Sequence, residues 1–574
     1  MHFIGANLAK TTRLLAHDPQ AARLQGDGAA LLAEDVVSEG PLMAFAAGRL
    51  RNRRTLAGAL GLQEDAAPSA CALAAYRRWG EDFPAHLEGP VAAGVFDAAA
   101  GLLVLCRDRL GECPVFCCAD DGGLAFADHP DALLQAGLFR PVVDAAGLGE
   151  LFALGPARTP GRTPYRDLMS LEPGWQLVAR GKAVQLRQYY RLPVRAHADD
   201  EAETVRRVRS LIEQAVADIL PLRPASMLSG GIDSTAVTAL LRQRQAEVRS
   251  FSVDYAQNER FFEASAFQPE RDAPYIKMAA EALGTDHLRV VLAQQALADA
   301  LDEAVDARGF PGMADVDSSL LLFSREIAPY AESVVSGECG DEVFGGYPWF
   351  KRPELLREDA FPWSGSIALR ESVLRPELRV AVDVPGTVRR TLLAARQEAE
   401  VLPGEDEQDA RLRLMQQLCF RFFMANLQER AVCMGAACGL QVLTPFSDER
   451  LVEYVYNVPW DLKFLGGQEK GLLRAAVADL LPEPLLKRKK SPYPKTCSPE
   501  YTEIVVRRMR ALLEDRDAPL WELIDREAIG RLAGSELSPV ETPWFGQLMA
   551  GPQLLAYLLQ VNSWLDTRSV EIRV

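Results

Sequence analysis

Two short stretches carry residue types whose spacing could do chemistry on a phosphate. The first, Ser229-Gly230-Gly231-Ile232-Asp233-Ser234, lies between the apolar run Ala225-Ser226-Met227-Leu228 and the helix-forming Ala236-Val237-Thr238-Ala239-Leu240-Leu241. Paired glycines let a backbone come close to a phosphate, and the start of the next helix presents N–H groups and a positive dipole end. The hydroxyls of Ser229, Ser234 and Thr235 add donors, and Asp233 offers a hard oxygen for the magnesium that accompanies a nucleotide. No Gly-Lys-Ser/Thr follows, so this is not a Walker loop. An ordinary glycine-rich turn is the plain alternative, but the strand-to-helix setting predicts a phosphate cradle.

The second stretch, Ser336-Gly337-Glu338-Cys339-Gly340-Asp341-Glu342-Val343-Phe344-Gly345-Gly346-Tyr347, again follows a short strand-like run and sets three acids among four glycines. Acids beside a triphosphate repel it unless they hold a metal or an incoming amine. A basic run, Lys487-Arg488-Lys489-Lys490, reads by itself as a solvated patch.

These residues need a frame. From residue 226 onward, short apolar runs (Val248 to Val253, Leu288 to Leu292, Ser333 to Ser336) alternate with helical patterns, including one near 273–283. Such alternation predicts a parallel sheet covered on both faces. Beyond 405 the chain reads as mostly helical. Residues 1 to about 190 read instead as hairpins, with Val91 to Phe96 and Leu102 to Cys106 across an Asp-Ala-Ala-Ala-Gly turn, and a second pair around Asp120-Asp121-Gly122-Gly123. The polar segment Val194 to Asp200 is the candidate linker, giving domains 1–193 and 204–574. A helix with Val205, Val208, Leu211, Ile212, Val216 and Ile219 on one face opens the second domain.

Composition narrows the chemistry. The chain has 574 residues, 48% of them apolar, enough for more than one core. A formal charge of −16 disfavours general nucleic-acid binding. Ten scattered cysteines show no paired zinc spacing, no long apolar run predicts a membrane span, and the start lacks a secretory layout. Together these predict a cytoplasmic protein with reduced thiols. The last of six histidines is His287, so proton transfer by the second half must use Lys, Glu, Asp, Tyr or the substrate.

Both motifs together resemble the synthetase half of the asparagine synthetase family, and the first resembles the pyrophosphate loop of the N-type ATP pyrophosphatases. The likeness runs on through Pro311 to Ser319, Thr444-Pro445-Phe446-Ser447-Asp448, Glu469-Lys470-Gly471-Leu472-Leu473-Arg474 and Lys487 to Tyr493. It implies an α/β protein: a degenerate Ntn-hydrolase-like αββα sandwich, then an adenine-nucleotide alpha-hydrolase-like parallel-sheet domain with a helical C-terminus. It also implies an AMP-forming carbon–nitrogen ligase that uses ATP and Mg2+ to adenylate a carboxylate and join it to an amine. By position, Met227, Val253 and the backbone of Gly337 would frame the adenine, while Ser229, Gly230, Gly231 and Ser234 would cradle phosphate. Asp233 and Asp341 would manage magnesium and pyrophosphate. Glu338 would sit at the reaction centre and Lys489 would neutralise charge in the transition state, with Lys490 and Lys495 as neighbouring choices.

The pattern breaks in the first domain. The family's glutaminase nucleophile is a cysteine at position 2, where this chain has His2, and an imidazole cannot replace a thiolate paired with its own α-amine. The family's Asn-Gly-Glu-Leu-Tyr-Asn reads Ala47-Gly48-Arg49-Leu50-Arg51-Asn52, and its Ser-Asp-Thr-Glu reads Ser69-Ala70-Cys71-Ala72. Arg107-Asp108-Arg109-Leu110-Gly111 is kept. The expectation is a scaffold domain and an amine not drawn from glutamine. In the second domain, Asp-Arg-Met-Ser-Met reads Glu429-Arg430-Ala431-Val432-Cys433-Met434, and Gly-Leu-Glu-Val-Arg reads Gly439-Leu440-Gln441-Val442-Leu443, which predicts either an altered substrate pocket or a drifted structural ion pair.

The favoured reading is an amide ligase of peptide or specialised-metabolite modification, similar to the lasso-peptide cyclases that close an isopeptide on a peptide's own amine. An ammonia-dependent asparagine synthetase is the alternative. A beta-lactam synthetase is weaker, because Glu338 keeps the acid that those enzymes replace. A non-catalytic ATP-binding regulator is the reading from another class. Partners implied are a carboxylate (a peptide side chain, a small acid or aspartate) and an amine, with a leader-peptide-binding protein and a homodimer open, and neither nucleic acid nor membrane expected.

Overall fold

The computed structural model describes residues 3–7, 10, 14, 22–23, 29–220, 223–264, 268–352, 355, 360–534 and 543–574; His2 lies outside them. The chain divides into two compact units: Met1–Glu150 with Arg158–Leu192 and Ser569–Val574, and Leu151–Ala157 with Pro193–Arg568.

The first unit is built on two six-stranded antiparallel sheets. One runs in the order Met169–Ser170, Phe116–Asp120, Gly123–Ala127, Phe3–Asn7, Ala29–Ala33, Ala22–Arg23; the other runs Ala183–Gln188, Trp175–Arg180, Leu102–Cys106, Val91–Asp97, Leu42–Gly48, Val36–Glu39. Both expected hairpins form, Val95 facing Val104 and Cys118 facing Ala125. Inward residues of the two sheets share one core, in which Phe45 stacks on Phe126 at 5.5 Å and meets Phe3 at 4.8 Å. The helices Arg53–Leu60 and Pro68–Trp79 bury Leu56, Ala57 and Leu73 against the other face of the second sheet.

The second unit centres on a five-stranded parallel sheet, in the order Asp286–Leu292, Arg249–Tyr255, Ala225–Met227, Ser333–Val335, Gln441–Leu443. The strand order reverses direction at Ala225–Met227, the switch point where open α/β sheets leave a crevice beyond the strand ends. Both glycine-rich motifs begin there, one after Met227 and one after Val335. The predicted helices form at Glu201–Asp218 and Ala273–Leu283. Beyond 405 the fold is mostly helical, as the pattern implied, apart from the strands Gln441–Leu443 and Glu571–Arg573.

Candidate active site

A cleft at that switch point is lined by residues from every motif of the second unit. Met227, Ser229, Gly231, Asp233, Ser234, Val253, Gly337, Glu338 and Asp341 all reach it. Its first wall is the phosphate-cradle loop. Gly230 has φ +70, and a Cβ there would lie 2.7 Å from the Ile276 nitrogen, so no other residue fits this turn. Ser229 and Ser234 share a hydroxyl contact at 2.9 Å, and no side chain caps the helix Ile232–Arg244 that follows. The first-turn N–H groups of that helix are thus left for a ligand. Arg488, which also lines the cleft, braces the loop by donating to the Ser229 carbonyl at 3.2 Å and pairing with Asp272.

The two acids expected to hold magnesium are joined by a cation that sequence reasoning did not assign. Lys470 is almost wholly buried; its Nζ lies 2.6 Å from Asp341 Oδ1 and also pairs with Asp233 Oδ2. Its backbone is held at φ +56, a strained setting of the kind that clusters at functional sites. Burial raises the Asp341 carboxyl, but Lys470 and Lys490 outweigh it and hold the group below its ordinary range. Asp233 moves the other way, because burial and the Asp341 charge outweigh the pull of Lys470. Asp233 Oδ1 remains buried without a hydrogen-bond partner among the described residues. That oxygen, with Asp341 beside it, fits a hard divalent cation.

The basic run divides sharply. Lys490 Nζ lies 3.6 Å from Asp341 Oδ2 and donates to Gln547 Oε1 at 2.9 Å. Lys489 lines the same cleft, but its side chain is exposed, and Lys495 is exposed as well. The lysine that reaches the acids is therefore Lys490, where the resemblance had put Lys489 first.

Glu338 Oε1 accepts from Arg430 Nη2 at 2.6 Å, while its buried Oε2 meets no partner among the described residues. Burial, only partly offset by Arg430, raises the Glu338 carboxyl. Arg430 also lines the cleft; its buried Nε and Nη1 have no hydrogen-bond partner among the described residues, and its guanidinium lies 5.1 Å from the Tyr493 ring. Behind it, Arg308 bonds Glu429 at 3.2 Å, Asp317 at 3.4 Å and Asn426, all of them buried. The departures at Gln441 and Leu443 have a different outcome: Gln441 is exposed, Leu443 is buried in the sheet edge, and neither lines the cleft. They do not reshape the pocket.

One family accounts for this arrangement. The profile described as asparagine synthase matches residues 207–566, and that of a glutamine amidotransferase domain matches residues 63–190. The chain belongs to the asparagine synthase family. It is 39% identical over 507 residues to asparagine synthetase (glutamine-hydrolyzing) 3 of Bacillus subtilis strain 168, spanning 87% of this chain and 82% of that one. Similarity at 24% over 458 residues extends to asparagine synthetase (glutamine-hydrolyzing) 1 of the same organism, covering 74% and 70% of the two chains. The asparagine synthetase (glutamine-hydrolyzing) of Gallus gallus is 25% identical over 438 residues, covering 73% and 65%. As a member of the asparagine synthase family the chain is an ATP-dependent, AMP-forming carbon–nitrogen ligase. Its first unit has the Ntn-like amidotransferase fold, and its second is the parallel-sheet synthetase. No helix among the described residues is long and apolar enough to cross a membrane.

The residues missed at the sequence level were Lys470, Arg488, Arg430 as the partner of Glu338, and Gln547. Lys470 stands 237 positions from Asp233, so only its place in the Glu469-Lys470-Gly471 segment could have flagged it.

Proposed function

We propose that the cleft adenylates a small acid, aspartate first among the candidates, and transfers the acyl group to ammonia that is not drawn from glutamine. The observation that carries this reading is the Lys470 bridge. One ammonium joins the acids of both glycine-rich motifs, with Lys490 on the far oxygen of Asp341.

In this reading the loop Ser229 to Ser234 and the start of its helix bind the triphosphate, and Met227, Val253 and Gly337 frame the adenine. A substrate carboxylate oxygen attacks the α-phosphorus, pyrophosphate leaves, and Lys470 and Lys490 carry the charge that gathers on the departing phosphates. The amine nitrogen then attacks the acyl carbon and AMP leaves, with Glu338 Oε2 placed to take the proton that nitrogen loses. A magnesium ion held by Asp233 and Asp341 would stabilise the leaving pyrophosphate.

What supports an amine other than glutamine's is the state of the first unit. Arg51 pairs with Glu88 at 2.9 Å, Ser69 bonds Asp35 at 2.5 Å, and Cys71 and Ala72 are packed in the core. Cys113 Sγ lies 3.9 Å from the Ala47 carbonyl. These positions serve packing and pairing rather than ligand binding. The same loss keeps a peptide amine as the second reading, in which an isopeptide closes as in the lasso-peptide cyclases.

The test follows AMP and asparagine together with ATP, magnesium, aspartate and ammonium. Matched formation of both supports the first reading. AMP absent with aspartate, in protein that binds ATP, overturns it and moves the search to peptide carboxylates.

A further inference from the structure

The second motif ends in Gly345-Gly346-Tyr347, three residues that the nucleotide reading leaves without a task. The helix Gly340–Phe344 carries Asp341 into the cleft, and the chain then turns back over it. At Gly346 a Cβ would fall 2.0 Å from Asp341 Oδ1 and 2.2 Å from Lys470 Cε, so any side chain at this turn would displace the Asp341–Lys470 pair. Its product is the placement of Tyr347. The phenol donates to Glu342 Oε1 at 2.5 Å, and the ring stacks on Trp349 at 4.2 Å and meets Phe423 edge-on at 5.3 Å. Three contacts therefore fix the ring in a buried position. Over its face, 5.0 Å from the centroid, stands the ammonium of Lys490.

We propose that Tyr347 and Gln547 are positioning residues that hold the Lys490 ammonium at the phosphate end of the cleft. The ring attracts the cation from below through its quadrupole, and the Gln547 amide oxygen accepts a hydrogen bond from it. Asp341 supplies the third contact. Two of these three partners are neutral, so the lysine keeps its place when Asp341 is engaged elsewhere. The loop carrying Gln547 is itself tied down: Gly546 N–H donates to the Trp363 carbonyl at 2.7 Å, and Trp544 N–H donates to the Met549 carbonyl at 2.7 Å. Lys489, one residue away, has neither partner and is exposed. The inference rests on reading Lys490 as the lysine that faces the phosphates.

The experiment is reductive methylation of the full chain, with Lys490 quantified against exposed Lys489 by peptide mass spectrometry. It compares the parent, Tyr347→Leu, Tyr347→Phe and Gln547→Ala, each checked first for thermal unfolding. Loss of the ring face should raise Lys490 labelling relative to Lys489 by about 3- to 30-fold in Tyr347→Leu. Tyr347→Phe should restore the parent ratio, and Gln547→Ala should raise it partway. With ATP, aspartate and ammonium, kcat should fall over the same range in Tyr347→Leu while the KM for ATP holds. A parent-like ratio in folded Tyr347→Leu overturns the proposal, as does a Phe variant that fails to restore it. If Tyr347→Leu does not fold, Gln547→Ala decides, and a parent-like ratio there overturns it. If the parent releases no AMP with aspartate, the substrate reading fails, while the labelling ratio still decides this one.

Discussion

Lys470 Nζ lies 2.6 Å from Asp341 Oδ1, and the same ammonium also pairs with Asp233. Two carboxylates from the first turns of different helices are thereby kept together in a largely buried site, where either alone would be costly. Lys470→Met should therefore do two things at once. AMP formation should fall by at least about 100-fold, and thermal stability should drop, because two partly buried acids lose their buried counter-charge. Adding Asp233→Asn to Lys470→Met should recover stability without activity, which calorimetry and AMP release would show. A Lys470→Met protein as active as the parent would remove this lysine from the site.

The division of the basic run gives the second expectation. Lys490→Ala should lose about 100-fold in AMP formation, because its ammonium faces Asp341, whereas exposed Lys489→Ala should stay near the parent. Steady-state kinetics on the two variants side by side checks this. The reverse order would return the role to Lys489.

Much of this site was legible in the sequence wherever motif and element coincide. The loop after Met227 and the motif after Val335 were each placed by a short apolar run followed by glycines and acids, and the parallel sheet brings both to one crevice. What could not be read is pairing across long separations. Lys470 meets Asp233 only because the helix Gly471–Ala476 packs beside the switch point, and nothing local in the sequence encodes that approach. Lys489 and Lys490 look alike in a basic run; which one turns inward is decided by Tyr347 and Gln547, 143 and 57 positions away from Lys490. For Gln441 and Leu443 the sequence left two readings open, since nearness to the sheet does not say which side chain faces the cleft.

The first unit should not make ammonia. Incubated with glutamine, the protein should release no glutamate above the uncatalysed rate, and ammonium should support AMP formation where glutamine does not. Ala47, Arg49 and Ala70 depart from the family's Asn-Gly-Glu-Leu-Tyr-Asn and Ser-Asp-Thr-Glu stretches, and Ser69 spends its hydroxyl on Asp35. Glutamate released at a rate matching AMP would overturn this.

Arg308 is the support behind Arg430. It is fully buried and satisfied by Glu429, Asp317 and Asn426. Arg308→Met removes a buried guanidinium that Glu429 and Asp317 both contact and should cost about 3–5 kcal/mol of stability. Denaturant titration measures this; a loss below about 1 kcal/mol would mean that the network carries little of the fold.

Asp315 supplies a pH dependence with a definite sign. Burial lifts its carboxyl to about 7, although Gln553 Nε2 donates to its Oδ2 at 3.3 Å. In the unfolded chain the group titrates near about 4. Between those values the folded protein holds a proton that the unfolded chain has released, so stability is fully present below about 4 and declines as pH rises toward 7. Each unit in that window removes up to about 1.4 kcal/mol. Asp315→Asn keeps the shape and abolishes the titration, so its advantage over the parent should grow from pH 5 to pH 8. Melting curves at the two values decide it. A parent and variant whose difference is the same at both would show that Asp315 folds as an ionised carboxylate.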